Sequence, residues 1–145
     1  MTRVTIDLNT ARTIIAAARA AATGHGFKPL TVTVLDAGGH LVAAEREDGS
    51  SFGRFDIAFG KAYGALSLGI GSRALMARAE QQPYFIAAAT AALGDRLVPV
   101  PGGVIVQAAD GSVLGAVGVS GEASDNDELA AVAGIKAAGL VALAG

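Results

Sequence analysis

Cysteine is absent from this chain, so disulfides, iron–sulfur clusters and thiolate metal sites are excluded. Tryptophan is absent too, and aromatic residues make up only 5% of the sequence. Charge is scarce: Asp, Glu, Lys and Arg together account for 17%, the net charge is -2, and no basic run occurs. That balance argues against a surface that tracks nucleic-acid phosphates. No apolar run is long enough to span a bilayer, because charges and glycines break each one. The opening residues hold no apolar segment of signal-peptide length, and the expected location is the cytoplasm.

What the chain has in quantity is small and apolar residues. Hydrophobic residues make up 52% of its 145 positions, the mean hydropathy is +0.48, and there are 20 glycines. This is too apolar for a disordered chain and more apolar than an ordinary isolated domain. A single domain over 1–145 is expected, with surplus apolar surface covered by further copies in a symmetric homo-oligomer.

Apolar periodicity predicts a helix from Leu8 to Ala22, started by Asp7 or Asn9 and ended by Gly24 or Gly26. Residues 30–36 and 40–46 alternate as strands around Ala37-Gly38-Gly39, a hairpin turn. A helix follows over 55–68, with Phe55, Ala58, Phe59, Ala62 and Leu66 as its apolar stripe. Within it, Gly60 and Gly64 predict close approach by a neighbouring element. Ser72 is expected to cap a short helix, and Pro83 to start another that runs through Ala92. Residues 103–108 and 112–119 form a second hairpin around Asp110-Gly111. Ser124 opens a last helix expected to reach 143, with Leu129, Val132, Ile135 and Leu140 on its apolar stripe. The order helix–hairpin–helices–hairpin–helix predicts an α+β fold, an antiparallel sheet flanked by helices.

Several blocks resemble one family. They are Val34-Leu-Asp-Ala-Gly-Gly-His-Leu-Val-Ala-Ala-Glu-Arg46 with Asp48-Gly49, a helix with Ala58 and Lys61-Ala62, Pro101-Gly102-Gly103, Gly115-Ala-Val-Gly-Val-Ser-Gly121, and Asp127-Glu128 before an alanine-rich helix. Together they look like the GlcG/HbpS-like family, also called the haem-degrading domain, over nearly the whole chain. The resemblance implies a profilin-like α/β/α sandwich with a five-stranded antiparallel sheet and helices on both faces. It also implies compact oligomers, commonly octamers, and members that bind haem or a corrinoid.

The polar residues suggest a site. Arg46, Asp48 and Lys61 form one candidate group: arginine offers a planar fork for a carboxylate, and lysine a point charge or tunable base. The alternative is an ion pair that ties the hairpin to the following helix. Gly102, Gly103, Ser120 and Gly121 are candidate ligand-binding residues through exposed N–H groups beside the last helix, or else simple turn and packing positions. Asp125 and Asp127 read as helix-capping acids, whereas Glu128, if directed toward Lys61, is a candidate for proton transfer. No metal site is expected. His25 and His40 both read as exposed turn residues rather than haem ligands, and the first helix carries Ala and Arg where haem- or corrinoid-binding relatives can use histidine. Haem is therefore implied as a cofactor by the resemblance alone. Six of the seven aromatic residues fall between Phe52 and Phe85, as core, subunit interface or pocket wall.

Three functions follow. The first is an oligomeric small-molecule-binding protein with haem or a related tetrapyrrole as ligand. The second is a cofactor-free isomerase or lyase for a small organic acid, with Arg46 as anchor and Lys61 or Glu128 as proton carrier. The third is a structural or accessory protein.

Overall fold

The computed structural model describes residues 4–145. Its elements are α1 (Leu8–Gly24), β1 (Thr31–Asp36), β2 (Leu41–Arg46), α2 (Arg54–Leu68), α3 (Ser72–Gln81), α4 (Pro83–Ala92), β3 (Gly103–Gln107), β4 (Val113–Ser120), α5 (Ser124–Ala137) and β5 (Val141–Leu143). The five strands form one antiparallel sheet in the order β2-β1-β4-β3-β5. Each hairpin supplies neighbouring strands, and the seam between the hairpins is the β1–β4 pair, with Thr31 opposite Ser120 and Val34 opposite Val117.

Strand alternation gives the sheet two unlike faces. Val32, Val34, Val104, Val106, Val117 and Val119 point toward α1 and α5 and form the main core with Ile14, Ile15 and Ile135. The residues between them, Thr31, Thr33, Gly103, Gly118 and Ser120, face α2, where Leu35, Ala62 and Ala116 make a second, smaller cluster. A third cluster, Leu75, Ile86 and Leu97, joins α3 and α4 to the segment before β3.

Asp7 caps α1, its carboxylate accepting the Thr10 N–H at 2.8 Å. The close approach expected at Gly60 and Gly64 is made by Val98 and Leu97, and the Val98 N–H donates to the Gly60 carbonyl at 3.2 Å.

Three expectations are corrected. The last helix ends at Ala137 rather than 143: Gly139 turns the chain at φ +75, and Val141–Leu143 pair with β3 as an edge strand. Ser124 makes no capping bond; the Asp127 side chain instead accepts the Glu122 N–H at 2.9 Å. Ser72 is likewise no cap. Its buried hydroxyl takes the Gly103 N–H at 2.7 Å and donates to the Gly103 carbonyl at 3.2 Å, tying α3 to β3.

The inward stripes also differ. On α5 the buried residues are Asp127, Ala130, Ala131, Gly134 and Ile135, while Leu129 is 40% exposed. On α2 they are Ala58, Gly60, Lys61, Ala62, Gly64 and Ala65, and Phe55 and Phe59 lie only half-buried. Helix and sheet approach closely here, so small residues fill the interface and larger ones are turned outward.

Candidate functional site

Lys61 is the largest fully buried side chain, 2% exposed, in the middle of α2. An ammonium this deep needs a countercharge and acceptors. Its Nζ donates to Asp127 Oδ2 at 3.0 Å and to the Val119 carbonyl at 2.9 Å. Asp127 is itself 1% exposed. One carboxylate thus bonds Lys61 through one oxygen and the chain before α5 through the other. The pair pins α2, β4 and α5 at one point. Burial drives the Lys61 pKa below the ordinary lysine range, against the opposing pull of Asp127. Burial likewise drives the Asp127 carboxyl upward, with Lys61 and the Glu122 N–H resisting.

The neighbouring glycines make room for this lysine. Gly102 sits at φ +123, and a Cβ there would stand 2.9 Å from Lys61 Nζ and 2.8 Å from the Val119 carbonyl oxygen. A Cβ on Gly103 would meet the Lys61 carbonyl oxygen at 2.2 Å, and one on Gly118 the Ala58 carbonyl oxygen at 1.9 Å. At each of these glycines a side chain would collide with α2 or with the Val119 carbonyl beside Lys61.

Glu128 lies elsewhere. It accepts from Arg73 Nε at 3.0 Å, and the same guanidinium also bonds Asp125. Lys61 is paired with the adjacent Asp127 instead. A sequence signal for this exists: Asp127 leads the small-residue stripe 127, 130, 131, 134 and 135, which is the face α5 buries.

Arg46 and Asp48 also part company. Arg46 stands opposite Thr31 at the edge of the sheet and donates to the Ser50 carbonyl at 2.8 Å. Asp48 lines a cleft of about 320 Å³ with Arg19, Thr23, Phe27, Pro29 and Glu47. Arg19 is already engaged there, by Glu45 at 2.6 Å and Glu47 at 3.1 Å. The four charged candidates therefore surround no common hollow: Lys61 is interior beside Gly102 and Gly103, Glu128 is across from Arg73, Arg46 bonds the Ser50 carbonyl, and Asp48 lines the cleft beside α1.

Ser120 and Gly121 belong to another place. Ser120 is fully buried, and its hydroxyl accepts from Arg54 at 3.2 Å. Gly121, at φ +152, lines a second cleft of about 160 Å³ whose wall includes Lys28, Ser50, Ser51 and Arg54. A third cleft of about 140 Å³ is formed by the Gly38–Gly39 turn with Tyr63, Leu66 and Ser67. Lys28 and Arg54 are functional candidates the sequence reading passed over, since each stands alone in a loop or at a helix start.

Both histidines are exposed: His25 stacks on Phe27 with ring centroids 5.2 Å apart, and His40 pairs with Asp36 at 3.3 Å. The aromatic residues do not form one wall. Phe55, Phe59 and Tyr63 run along α2, Arg96 lies over Tyr63, Arg78 lies over Phe85, and Phe52 is 90% exposed. Among the described residues, no group of three His, Asp or Glu side chains could hold a metal ion, and no helix is long and apolar enough to cross a membrane.

Comparison with known proteins gives a consistent picture. Residues 6–136 match the family model described as haem degrading protein, HbpS-like. The Klebsiella pneumoniae protein ORFY has a similar structure, with 26% identity, a TM-score of 0.83, and 96% of this chain and 94% of that one covered. A Streptomyces reticuli HbpS double mutant shares 29% identity at a TM-score of 0.79, covering 94% and 88%. A PduOC:heme complex, at 22% identity and a TM-score of 0.84 over 95% and 98%, shares the fold. No curated protein matches the chain by sequence.

Proposed function

The chain belongs to the HbpS-like family, and from that premise we propose that it is an oligomeric small-molecule-binding protein whose ligand is haem or a related tetrapyrrole. The family match carries this reading. It is supported by the haem-bound neighbour of the same fold and by large apolar side chains that the subunit leaves uncovered.

None of the three clefts described above has room for a tetrapyrrole. They measure about 140 to 320 Å³, at or below the small end of the ~300–1,000 Å³ typical of ligand pockets. The largest is walled by Glu47 and Asp48, which would repel carboxylate substituents, and its Arg19 is already held by two glutamates. Neither histidine is set in an apolar slot. The proposed seat is therefore a surface shared between copies, with Phe52 and the half-buried Phe55–Phe59–Tyr63 row of α2 as its apolar component. An octamer in the cytoplasm is the form we propose.

Titration of haemin into the purified chain, with native mass spectrometry of the product, tests this. A sharp Soret shift that saturates at a fixed ratio of haem to subunits, on a closed oligomer, is expected. A broad band that never saturates, or saturable binding to a monomer, would overturn the intersubunit reading.

Catalysis by Lys61 and Glu128 has no geometric support. Lys61 is consumed by Asp127 and the Val119 carbonyl, and none of the three clefts has it in its wall. The role that the contacts favour for Lys61 is structural.

A further inference from the structure

The cleft at the start of α2 differs from the other two in its charge. Lys28 and Arg54 both line it, and no carboxylate does; Ser50, Ser51, Gly49 and Gly121 supply the rest of its polar rim. The cleft beside α1, by contrast, carries Arg19 together with Glu47 and Asp48. Among the described residues, neither Lys28 nor Arg54 has a carboxylate at ion-pairing distance. Arg54 uses one Nη to donate to Ser120 at 3.2 Å, its one side-chain hydrogen bond among the described residues, and it lies within electrostatic reach of Asp127 and Lys61. Glu122 lies near Lys28 but spends its carboxylate on the Lys28 and Ala123 N–H groups, at 2.8 and 3.1 Å. A third cation, Arg46, donates to the Ser50 carbonyl at 2.8 Å and so stands beside the same wall.

The backbone adds to this field. The cleft adjoins the first turn of α2, whose leading Arg54 N–H donates to the Ser51 carbonyl at 3.1 Å. The leading N–H groups of a helix carry partial positive charge. The wall also needs its glycines: a Cβ on Gly121 would stand 2.3 Å from the Pro29 carbonyl oxygen, and one on Gly49 would meet the Pro29 ring at 3.3 Å.

We propose that this cleft is a binding site for a small oxyanion, a carboxylate or phosphate, held by Arg54 and Lys28. Its volume of about 160 Å³ admits an anion of a few heavy atoms or the carboxylate arm of something larger, but not a macrocycle. The planar guanidinium suits the two oxygens of a carboxylate or phosphate, and the serine hydroxyls turn to donate to them. The site stands independently of the tetrapyrrole reading.

The test is isothermal titration calorimetry of the full chain with oxalate, with inorganic phosphate and with haemin, each at low and at raised salt. Saturable binding of oxalate or phosphate that weakens with salt is expected. Arg54→Gln and Lys28→Gln should each weaken it by roughly tenfold, and Arg12→Gln, an exposed cation of α1, should leave it unchanged. Lys28→Gln keeps the test decisive if Arg54→Gln loosens the fold through Ser120, because among the described residues the Lys28 ammonium makes no hydrogen bond or ion pair, only an exposed electrostatic contact with Glu122. Oxalate alone binding identifies a free carboxylate, and phosphate binding equally well identifies a general oxyanion site. Oxalate displaced stoichiometrically by haemin identifies a tetrapyrrole's carboxylate arm as the occupant. If none of the probes saturates, or if the Arg54 and Lys28 variants bind as the wild type does, the proposal is wrong. A failed haemin titration with intact oxalate binding would remove the tetrapyrrole reading and leave this one standing.

Discussion

The two faces of the sheet solve the same packing problem with opposite materials. Toward α1 and α5, the strands present valines that interlock with isoleucine and alanine. Toward α2, they present Thr31, Thr33, Gly103, Gly118 and Ser120, and the helix answers with glycines, alanines and one buried lysine. The first face is stabilised by apolar area removed from water. The second gains little such area per residue and is held by close backbone approach and by specific polar bonds: Lys61 to Asp127, Ser72 to Gly103, and Arg54 to Ser120. Non-directional burial tolerates small changes of shape, whereas a polar face with a charge in it does not.

The sharpest way to break the comparison is at the buried pair. Asp127→Ala leaves a buried ammonium without countercharge, and should cost about 3–5 kcal/mol of unfolding free energy. Lys61→Met is expected to destabilise through the carboxylate left behind. The double variant Lys61→Met/Asp127→Leu should be less destabilised than either single one, because no lone charge remains. Urea denaturation of the four proteins checks this; additive losses would mean that the pair is not the unit of stability.

Next, the faces should respond to opposite changes of volume. On the valine face, removing carbon is harmful: Leu114→Ala, fully buried in the main core, should cost about 3 kcal/mol. On the α2 face, adding carbon is harmful. Gly118→Ala drives a methyl into the Ala58 carbonyl and should cost about 2–3 kcal/mol. If Gly118→Ala melts at the wild-type temperature, α2 is packed less tightly than described.

The smallest effect lies outside both faces, at the first hairpin turn. Burial raises the Asp36 pKa, but N–H bonds from His40 and Gly38 outweigh it, and the net displacement is downward. A carboxylate whose folded pKa is depressed contributes stability above its unfolded pKa and loses it as pH falls through the folded one. Asp36→Asn should therefore cost below about 1 kcal/mol near neutrality. The gap from wild type should close as the pH drops through the acidic range. Paired denaturation curves at pH 7 and at progressively lower pH measure it.

The contrast also explains what could be read from the sequence. Alternation and turn glycines are strong signals, so both hairpins and the antiparallel sheet with helices on each face were legible. The inward faces of α2 and α5 were legible only in part: Ala58, Ala62 and Ile135 are buried as read. Reading helices by their large hydrophobic residues also assigns Phe55, Phe59 and Leu129 to the core, yet apart from Ile135 and the Lys61–Asp127 pair the buried sides are alanine and glycine. Their close packing rests on what the partner surface lacks, and that is set by residues far away in the chain. The same blindness linked Lys61 to Glu128 rather than to Asp127, one residue earlier but on the buried stripe. Lys28 and Arg54 converge only after folding, being 26 positions apart in the sequence numbering. The end of α5 was misjudged because three residues of edge strand, Val141–Leu143, are as apolar as the helix before them.

The seam between β1 and β4 joins residues such as Thr31 and Ser120, from opposite ends of the chain, at the centre of the sheet. During synthesis the first hairpin leaves the ribosome long before its middle neighbour has been made. Its inner edge then waits, unsheathed, through the whole translation of three helices. Such distant pairings close slowly and leave transient edges open to wrong partners. The interval before β4 emerges is thus when the first hairpin's open edge is exposed to wrong partners.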